Sequence, residues 1–366
     1  MLRAACEGAI RSFYSDLGYA WPPDATLLRL VNGRPYLNVT AVAEAERALG
    51  ALVTSEELAT SLRPARPIQA IRQVLRLGEE AGSNASDIFN EVHRWCARVQ
   101  ALSGRWMQAD ILQVMEEVER HAVRLWGLYW RLREGADAAR ADLAGQLPRK
   151  DGEKAETLLA ELLAGLDGDH ACERRLVELA QATRGLSVPL DDAATKVLIP
   201  FLTDYGHHGE DELEAAAPRW REDLASLLKR VDGLAPPPAS EALKARREEA
   251  ERLALSRAGL LRRRSLGQAI RRAQRLAGLA PQGYDALVRS VDAARAWALT
   301  AGAEAARDGR LLEPHHIFWL ELEEVKQLMT GEWHDHKRIR ALVVRRQEEH
   351  RAWKSRATSD TVTMDE

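Results

Sequence analysis

The 366-residue sequence predicts an all-α fold, a large domain of many helices with a small N-terminal β-hairpin. Hydrophobic residues make up 46% of the chain and aromatic residues only 5%, a balance that favours helix formers over the residues that fill sheets. From about residue 40 onward, apolar residues recur at three- and four-residue spacing, which is typical of amphipathic helices. Together these observations predict a mainly helical protein.

The predicted hairpin lies at residues 26–39, where two short apolar runs flank Asn32-Gly33. Asn-Gly accepts the positive φ angles of a type I′ turn, so residues 26–31 and 35–39 should pair. Pro35 cannot donate a ladder hydrogen bond, which indicates an edge position or a slightly longer loop.

The remaining chain divides at a proline-rich joint, GLAPPPAS, at residues 233–240. We expect a first helical part over 40–232, a second over 239–356 and a flexible tail over 357–366, all within one domain of residues 1–366.

Within these parts the apolar spacing predicts particular helices. They include helices at 84–103, at 105–134 with its end at Gly135, and at 241–279. Gly283 should begin another helix.

Three tryptophans stand out in the first helical part, Trp95, Trp126 and Trp130. Rings at helical spacing either fill the core or line an apolar ligand pocket. We favour core filling for Trp126, Trp130 and the neighbouring Tyr129, and keep Trp95, Trp126 and Trp130 as secondary candidates for ligand contact.

Charge and cysteine content exclude several classes of partner. The formal net charge is -3, so no general positive field exists to hold nucleic acid or an anionic membrane. The three cysteines lie far apart without a ligand spacing, which indicates a reducing compartment. The sequence shows neither an apolar signal core nor a run long enough to cross a bilayer. We therefore expect a cytoplasmic protein.

One stretch, DYGHHGEDELEAAAPRWRED at residues 204–223, breaks the helical rhythm. Gly206 and Gly209 flank His207 and His208, and three acids follow. Imidazoles titrate near neutral pH, and a carboxylate such as Glu212 would orient His207 and raise its basicity. This pattern is consistent with a base and its orienting partner.

A structural interpretation of the same residues carries equal weight. In that interpretation His207 caps the preceding helix, and Glu212 pairs with Arg219 or Arg221 to fix the start of the next. A metal site is disfavoured because the HxxxH and HExxH spacings are absent, so we expect no bound metal, and a metal-dependent hydrolase is a remote alternative.

The pattern GH-x-G-x-x-E-x-x-x-x-x-PRW-x-ED runs from Gly206 to Asp223. It resembles the signature of the central helical domain of the phosphoenolpyruvate synthase-like phosphotransferases, the group that includes rifampin phosphotransferase. NGRPYLN at 32–38 and EPHHIFWLELEEVKQL at 313–328 resemble the opening hairpin and the closing segment of that domain. The resemblance covers about residues 15–356.

In that family an ATP-grasp domain phosphorylates a histidine on a swivelling domain, and the helical domain holds the acceptor hydroxyl. The resemblance therefore implies a stand-alone substrate-binding component that acts with a separate ATP-grasp protein and a separate phosphohistidine carrier. The acceptor would be a hydroxylated small molecule, and later elimination of the phosphate would give net dehydration. This chain would bind no cofactor, because the partner protein uses ATP and Mg²⁺.

The resemblance also implies roles for residues. His207 would act as general base or phosphate contact and Glu212 would orient it. Phosphate or acceptor would contact Arg34, His208, Arg219, Trp95, Trp126 and Trp130. His208 stands where the family has arginine, and Ala280–Gln282 where it often has an Arg-Glu pair. These departures favour the alternative of a non-catalytic helical binding or scaffold protein derived from the same domain.

Overall fold

A computed structural model describes residues 2–61, 64–102, 108–147, 152–166, 169–183, 192–232, 234 and 240–356. It confirms the all-α class, because regular structure in these ranges consists of helices and one two-stranded antiparallel sheet. The strands are β1 (Leu28–Val31) and β2 (Arg34–Leu37). The α-helices are α1 (Leu2–Asp16), α2 (Val39–Ala48), α3 (Ser55–Ser61), α4 (Ile68–Leu102), α5 (Gln108–Gln146), α6 (Gly152–Leu163), α7 (Asp169–Thr183), α8 (Asp192–Tyr205), α9 (Leu224–Asp232), α10 (Ser240–Arg257), α11 (Leu260–Arg307), α12 (Leu322–Thr330) and α13 (His336–Lys354), with a 3₁₀ helix at Pro314–Trp319.

The chain forms two compact units from non-consecutive segments. Unit 1 comprises Met1–Ala70, Trp95–Gly127 and Ala293–Glu366, and unit 2 comprises Ile71–Arg94 and Leu128–Asp292. Most of the proline-rich joint at 233–240 and all of the tail at 357–366 lie outside the described residues. The prediction of one domain with these internal boundaries stays a prediction.

The hairpin in unit 1 has the turn that the sequence predicts. Val31 pairs with Arg34 and Leu28 with Leu37. Asn32 and Gly33 have φ angles of 48° and 75°, the positive values that a type I′ turn requires.

The predicted helices at 84–103 and 105–134 correspond to parts of α4 and α5, except for residues 103–107, which lie outside the described residues. Helix α5 continues past Gly135 to Gln146. Gly135 serves close packing and does not end the helix. A Cβ on Gly135 would lie 2.6 Å from Cα of Gly78 in α4, so only glycine allows this approach.

The single helix predicted over 241–279 is two helices in the structure. Helix α10 ends at Arg257 and α11 begins at Leu260, so the helix is interrupted at Ala258-Gly259. Helix α11 then runs through Pro281, and the new helix expected at Gly283 is a continuation of α11. No helix in the described ranges is long and apolar enough to cross a membrane.

Helices α7, α8 and α9 of unit 2 share an apolar core. Leu179, Phe201 and Leu227 are at its centre, and Trp220 reaches it from the loop that joins α8 to α9. The rings of Phe201 and Trp220 lie 5.9 Å apart. This core anchors the loop that carries the candidate site.

Candidate functional site

The loop at residues 206–223 connects α8 to α9 and folds back on itself. The backbone N–H of Trp220 donates to the carbonyl of His208 at 2.8 Å, and that of Arg221 donates to the carbonyl of Gly206 at 3.2 Å. Gly206 is needed because a Cβ there would collide with the carbonyl oxygen of Leu202. The return of the chain holds His207 and His208 in fixed positions.

Arg219 fixes the loop from inside. Its side chain is fully buried, and the guanidinium donates to the backbone carbonyls of Glu212 at 3.0 Å and Glu214 at 3.1 Å. The buried guanidinium needs such acceptors, and through them Arg219 stabilises the turn that carries the acids. Its predicted contact with a phosphoryl group has no support in this geometry. The predicted pairing with the Glu212 side chain is replaced by a contact to the Glu212 backbone.

A hydrogen-bonded network of imidazole and carboxylate groups forms the centre of the site. Oδ1 of Asp285, on α11, lies 2.8 Å from Nε2 of His207 and 3.2 Å from Nε2 of His208. Nδ1 of His208 lies 2.5 Å from Oε1 of Glu212. The orienting partner of His207 is therefore Asp285. The prediction that Glu212 orients His207 is wrong, because Glu212 sits four residues on, where it reaches the neighbouring ring.

The carboxylates of Asp285 and Glu212 are ionised. Burial would raise the pKa of Asp285, but the hydrogen bonds from His207 and His208 outweigh burial and lower it well below its usual range. Burial likewise acts to raise the pKa of Glu212, and the hydrogen bond from His208 lowers it instead. Both side chains can therefore only accept hydrogen bonds.

The ionised carboxylates determine which ring nitrogens of the histidines carry protons. His208 faces a carboxylate at each ring nitrogen, so both nitrogens carry protons and the ring is a cation. Burial opposes this charge, but the hydrogen bonds to Asp285 and Glu212 outweigh it and raise the pKa of His208 to about 9. The arginine that the resemblance leads one to expect here is thus replaced by another cation.

His207 is neutral beside this cation. Burial lowers its pKa to about 4, and the hydrogen bond to Asp285 offsets only part of that effect. Since Asp285 can only accept, Nε2 of His207 carries the proton and Nδ1 is left as a lone pair. This Nδ1 atom is buried and has no hydrogen-bond partner among the described residues.

Further charged groups surround Asp285. Nε of Arg289 donates to Oδ2 of Asp285 at 2.8 Å, and Nη2 of Arg289 donates to the carbonyl of Asp204 at 2.7 Å. Tyr284 hydrogen-bonds to Glu212. His93, on α4, has its pKa lowered by burial and by the nearby Arg289. The two carboxylates are balanced by His208 and Arg289.

A cleft of about 690 Å³ opens beside this network. Its size lies within the range of small-molecule sites. It is lined by Cys172, Leu176, His208, Gly209, Glu210, Glu212, Trp220, Lys229, Arg230, Leu234 and Tyr284. His207 does not line it. The cleft thus presents apolar and aromatic surface together with both signs of charge.

The other predicted contact residues occupy different surroundings. Arg34 lies exposed on β2 of unit 1. Trp95 is buried in the same unit, where its Nε1 donates to Oε2 of Glu117 at 3.0 Å and its ring packs on His121. Trp126 is buried there as well. Trp130 belongs to unit 2, where the Arg133 guanidinium lies over its ring. None of the four lines the cleft beside the loop.

Sequence reasoning missed Asp285 and Arg289. They lie at i and i+4 on α11, a common spacing for a helix surface ion pair, and such pairs are frequent without any function. Their link to the loop arises only from folding, because Asp285 is 78 positions from His207. The resemblance leads one to expect an Arg-Glu pair at Ala280–Gln282. An acid and an arginine, Asp285 and Arg289, do face the loop, but a few residues further along the chain.

The site also contains atoms of the kinds that serve as metal ligands. Ligand atoms of His207, His208 and Asp285 lie within 4.8 Å of one another. However, a metal at both Nε2 atoms would displace the two protons that now bridge to Asp285. It would also add positive charge to a site that His208 and Arg289 already balance. The arrangement therefore fits a hydrogen-bonded network better than a metal centre.

Comparison with known families supports the resemblance. Residues 132–280 match the family described as the rifampicin phosphotransferase fourth domain. This range contains the loop at 206–223 and ends before Asp285. Over these residues it confirms the resemblance to a helical substrate-binding domain of a phosphotransferase-like family. No match was found among the curated proteins.

Proposed function

We propose that this chain is the acceptor-binding component of a phosphotransferase. It positions a hydroxylated small molecule for phosphoryl transfer from a phosphohistidine on a separate carrier protein, which a separate ATP-grasp protein charges using ATP and Mg²⁺. The family match supports the class of reaction. The observation that carries the proposal is the cleft whose wall contains the ionised, hydrogen-bonded Glu212.

Glu212 is the group that receives the acceptor hydroxyl. Its side chain lines the cleft, and hydrogen bonds from His208 and Tyr284 fix its orientation. A carboxylate of lowered pKa is a weak base, but phosphoryl transfer through a loose transition state depends mainly on positioning and on charge stabilisation. Glu212 therefore orients the hydroxyl towards phosphorus and accepts its proton as the oxygen–phosphorus bond forms and the phosphorus–nitrogen bond to the carrier's histidine breaks.

His207 is a positioning residue in this proposal. It does not line the cleft, and it acts through Asp285, which it shares with His208. The network holds His208 protonated, and His208 in turn holds Glu212. If the acceptor or carrier opens the loop, the Nδ1 lone pair of His207 becomes a second proton acceptor. Elimination of the transferred phosphate in a later step would give net dehydration of the acceptor.

A second candidate function is a non-catalytic binding or scaffold domain of the same family. One observation favours it, since the polar groups of Arg219 and His208 are used in holding the loop. Such a domain would bind the same class of small molecule in the cleft and would leave it unphosphorylated.

The test combines the purified chain with the ATP-grasp protein and the phosphohistidine carrier of its source, radiolabelled ATP and a small-molecule extract of the same cells. The proposal predicts a labelled small molecule only when all three proteins are present. Label transfer without this chain, or ATP hydrolysis by this chain alone, would contradict it. A ligand from the extract that binds the chain and stays unlabelled would favour the scaffold function.

A further inference from the structure

The cleft beside the loop contains three positively charged residues, His208, Lys229 and Arg230. A phosphoryl group entering the cleft needs cationic donors, because its charge must be stabilised during transfer. Which of the three can supply free N–H groups depends on the contacts that each already makes.

His208 has none to offer. Its Nδ1 lies 2.5 Å from Glu212 and its Nε2 lies 3.2 Å from Asp285, so both of its N–H groups are used. Arg219 is buried inside the loop, and its guanidinium donates to backbone carbonyls. Neither residue can grip a phosphate without breaking the loop that holds Glu212.

Lys229 and Arg230 are in the opposite situation. They lie in the last turn of α9, both are exposed, and neither has a hydrogen bond or ion pair to any described residue. An ammonium and a guanidinium on one wall of a cleft can together donate several hydrogen bonds to phosphate oxygens.

Helix α9 is fixed relative to the loop that carries Glu212. The Asp223 carboxylate accepts from the backbone N–H of Ser226 at 3.1 Å, and the Ser226 hydroxyl donates to Glu210 at 3.3 Å. Leu227, the next residue after Ser226, is fully buried in the core of unit 2. The loop and α9 therefore form one wall, with the carboxylates on the loop and the Lys229 and Arg230 cations on the helix.

We infer that Lys229 and Arg230 bind the phosphoryl group in this cleft, as it arrives on the carrier and as it leaves on the product. The inference rests on the proposed phosphoryl transfer and names the residues that receive the phosphate. It replaces Arg219 and His208 in that role.

An arginine-rich groove of about 400 Å³ elsewhere in unit 2 is the competing anion site. Its lining includes Arg271, Arg272 and Arg275. Arg275 donates to the carbonyl of Gly82 at 3.0 Å, and Arg272 lies 3.7 Å from Glu79. Part of the positive charge of the groove is thus already compensated, which favours the cleft as the site of phosphate binding.

The test measures binding of inorganic phosphate to the chain by isothermal titration calorimetry. We expect the double variant Lys229→Gln/Arg230→Gln to bind phosphate at least about tenfold more weakly, since charge-assisted hydrogen bonds are lost. Lys244→Gln/Arg246→Gln, which removes the same charge from exposed positions on α10, should leave the affinity unchanged. Arg271→Gln/Arg275→Gln should also leave it unchanged.

Unaltered phosphate binding in the Lys229→Gln/Arg230→Gln variant, or loss in the Arg271→Gln/Arg275→Gln variant instead, would overturn the inference. So would an absence of phosphate binding to the unmodified chain. The three-protein transfer assay separates this inference from the proposed function. If transfer occurs and the Lys229→Gln/Arg230→Gln variant does not slow it, the inference falls and the function stands. If the variant loses phosphate and no acceptor is ever labelled, the anion site stands and the function falls.

Discussion

Nε2 of His207 lies 2.8 Å from Oδ1 of Asp285, and this contact joins residues 78 positions apart in the sequence. The same oxygen lies 3.2 Å from Nε2 of His208. One carboxylate on α11 therefore holds both histidines of the loop. Removal of that carboxylate should affect the stability of the fold and the charge of His208 together.

Asp285→Asn should destabilise the protein by about 2–4 kcal/mol, because it leaves the buried His208 cation with one carboxylate in place of two. Urea unfolding followed by circular dichroism measures the change. Asp87→Asn is the matched control, since Asp87 is exposed on α4, and it should change the free energy of unfolding by less than about 0.5 kcal/mol. Equal effects of the two substitutions would show that the network does not stabilise the fold.

The stability of the protein should depend on pH through the two histidines. The pKa of His208 is about 9 in the folded protein against 6.5 ordinarily, so its contribution is full below pH 6.5 and is lost as pH rises through 9. The pKa of His207 is about 4, so its contribution is full above pH 6.5 and is lost as pH falls through 4. Asp285 and Glu212 stay ionised across this window because their pKa values are lowered. The contribution of the site to the melting temperature should therefore be greatest near pH 6.5.

His208→Gln should remove the part of this dependence that lies between pH 6.5 and 9. The lost contribution is on the order of 1–3 kcal/mol for a shift of this size. Thermal melts at several pH values measure it, with His334→Gln, an exposed histidine, as the control. If the profile of the His208→Gln protein matches that of the unmodified chain over this range, His208 is not the cation that the network requires.

Gly135→Ala should destabilise the protein by about 1–3 kcal/mol, because the new Cβ would lie 2.6 Å from Cα of Gly78 and force α4 and α5 apart. Gly145→Ala on the same helix is the control. A Cβ there would meet nothing within 4 Å, so the substitution should stabilise the helix by about 0.5–1 kcal/mol. We expect chemical denaturation to show a lower free energy of unfolding for Gly135→Ala and a higher one for Gly145→Ala. A stabilising effect at both positions would rule out the close approach of Gly135 to Gly78.

The purified chain should contain no stoichiometric metal by elemental analysis, and a chelator should leave its melting temperature unchanged. The reason is that the protons on the Nε2 atoms of His207 and His208 already bridge to Asp285. A bound divalent ion that is lost in Asp285→Asn would show that the three residues form a metal centre.

Local patterns predicted much of the fold. Asn32-Gly33 predicts its turn because the required φ angles are a property of those two residues. The predicted helix end at Gly135 is wrong, because a glycine that permits close helix packing looks the same in sequence as one that ends a helix. The partner, Gly78, lies 57 positions earlier, and only the packing of α4 on α5 shows that the two meet.

The loop at 206–223 could be located from sequence, and its chemistry could be only partly inferred. The spacing predicts Glu212 beside His207, whereas the structure places it beside His208. Asp285 had no local signal, since its carboxylate reaches the loop only through tertiary contact. The sequence does not show that Arg219 is buried or that its guanidinium donates to backbone carbonyls. Pairing and burial are outcomes of packing, which periodicity and motif spacing do not encode.

The most direct test of the account is the rate of phosphoryl transfer to the acceptor in the three-protein assay, compared between Glu212→Gln and Glu210→Gln. Both acids line the cleft, but only Glu212 is held by His208 and proposed to receive the hydroxyl. We predict that Glu212→Gln lowers the rate by about 10²-fold or more, while Glu210→Gln changes it by only a few-fold. Equal rates in the two variants would contradict the assignment of Glu212 and with it the proposed use of the cleft.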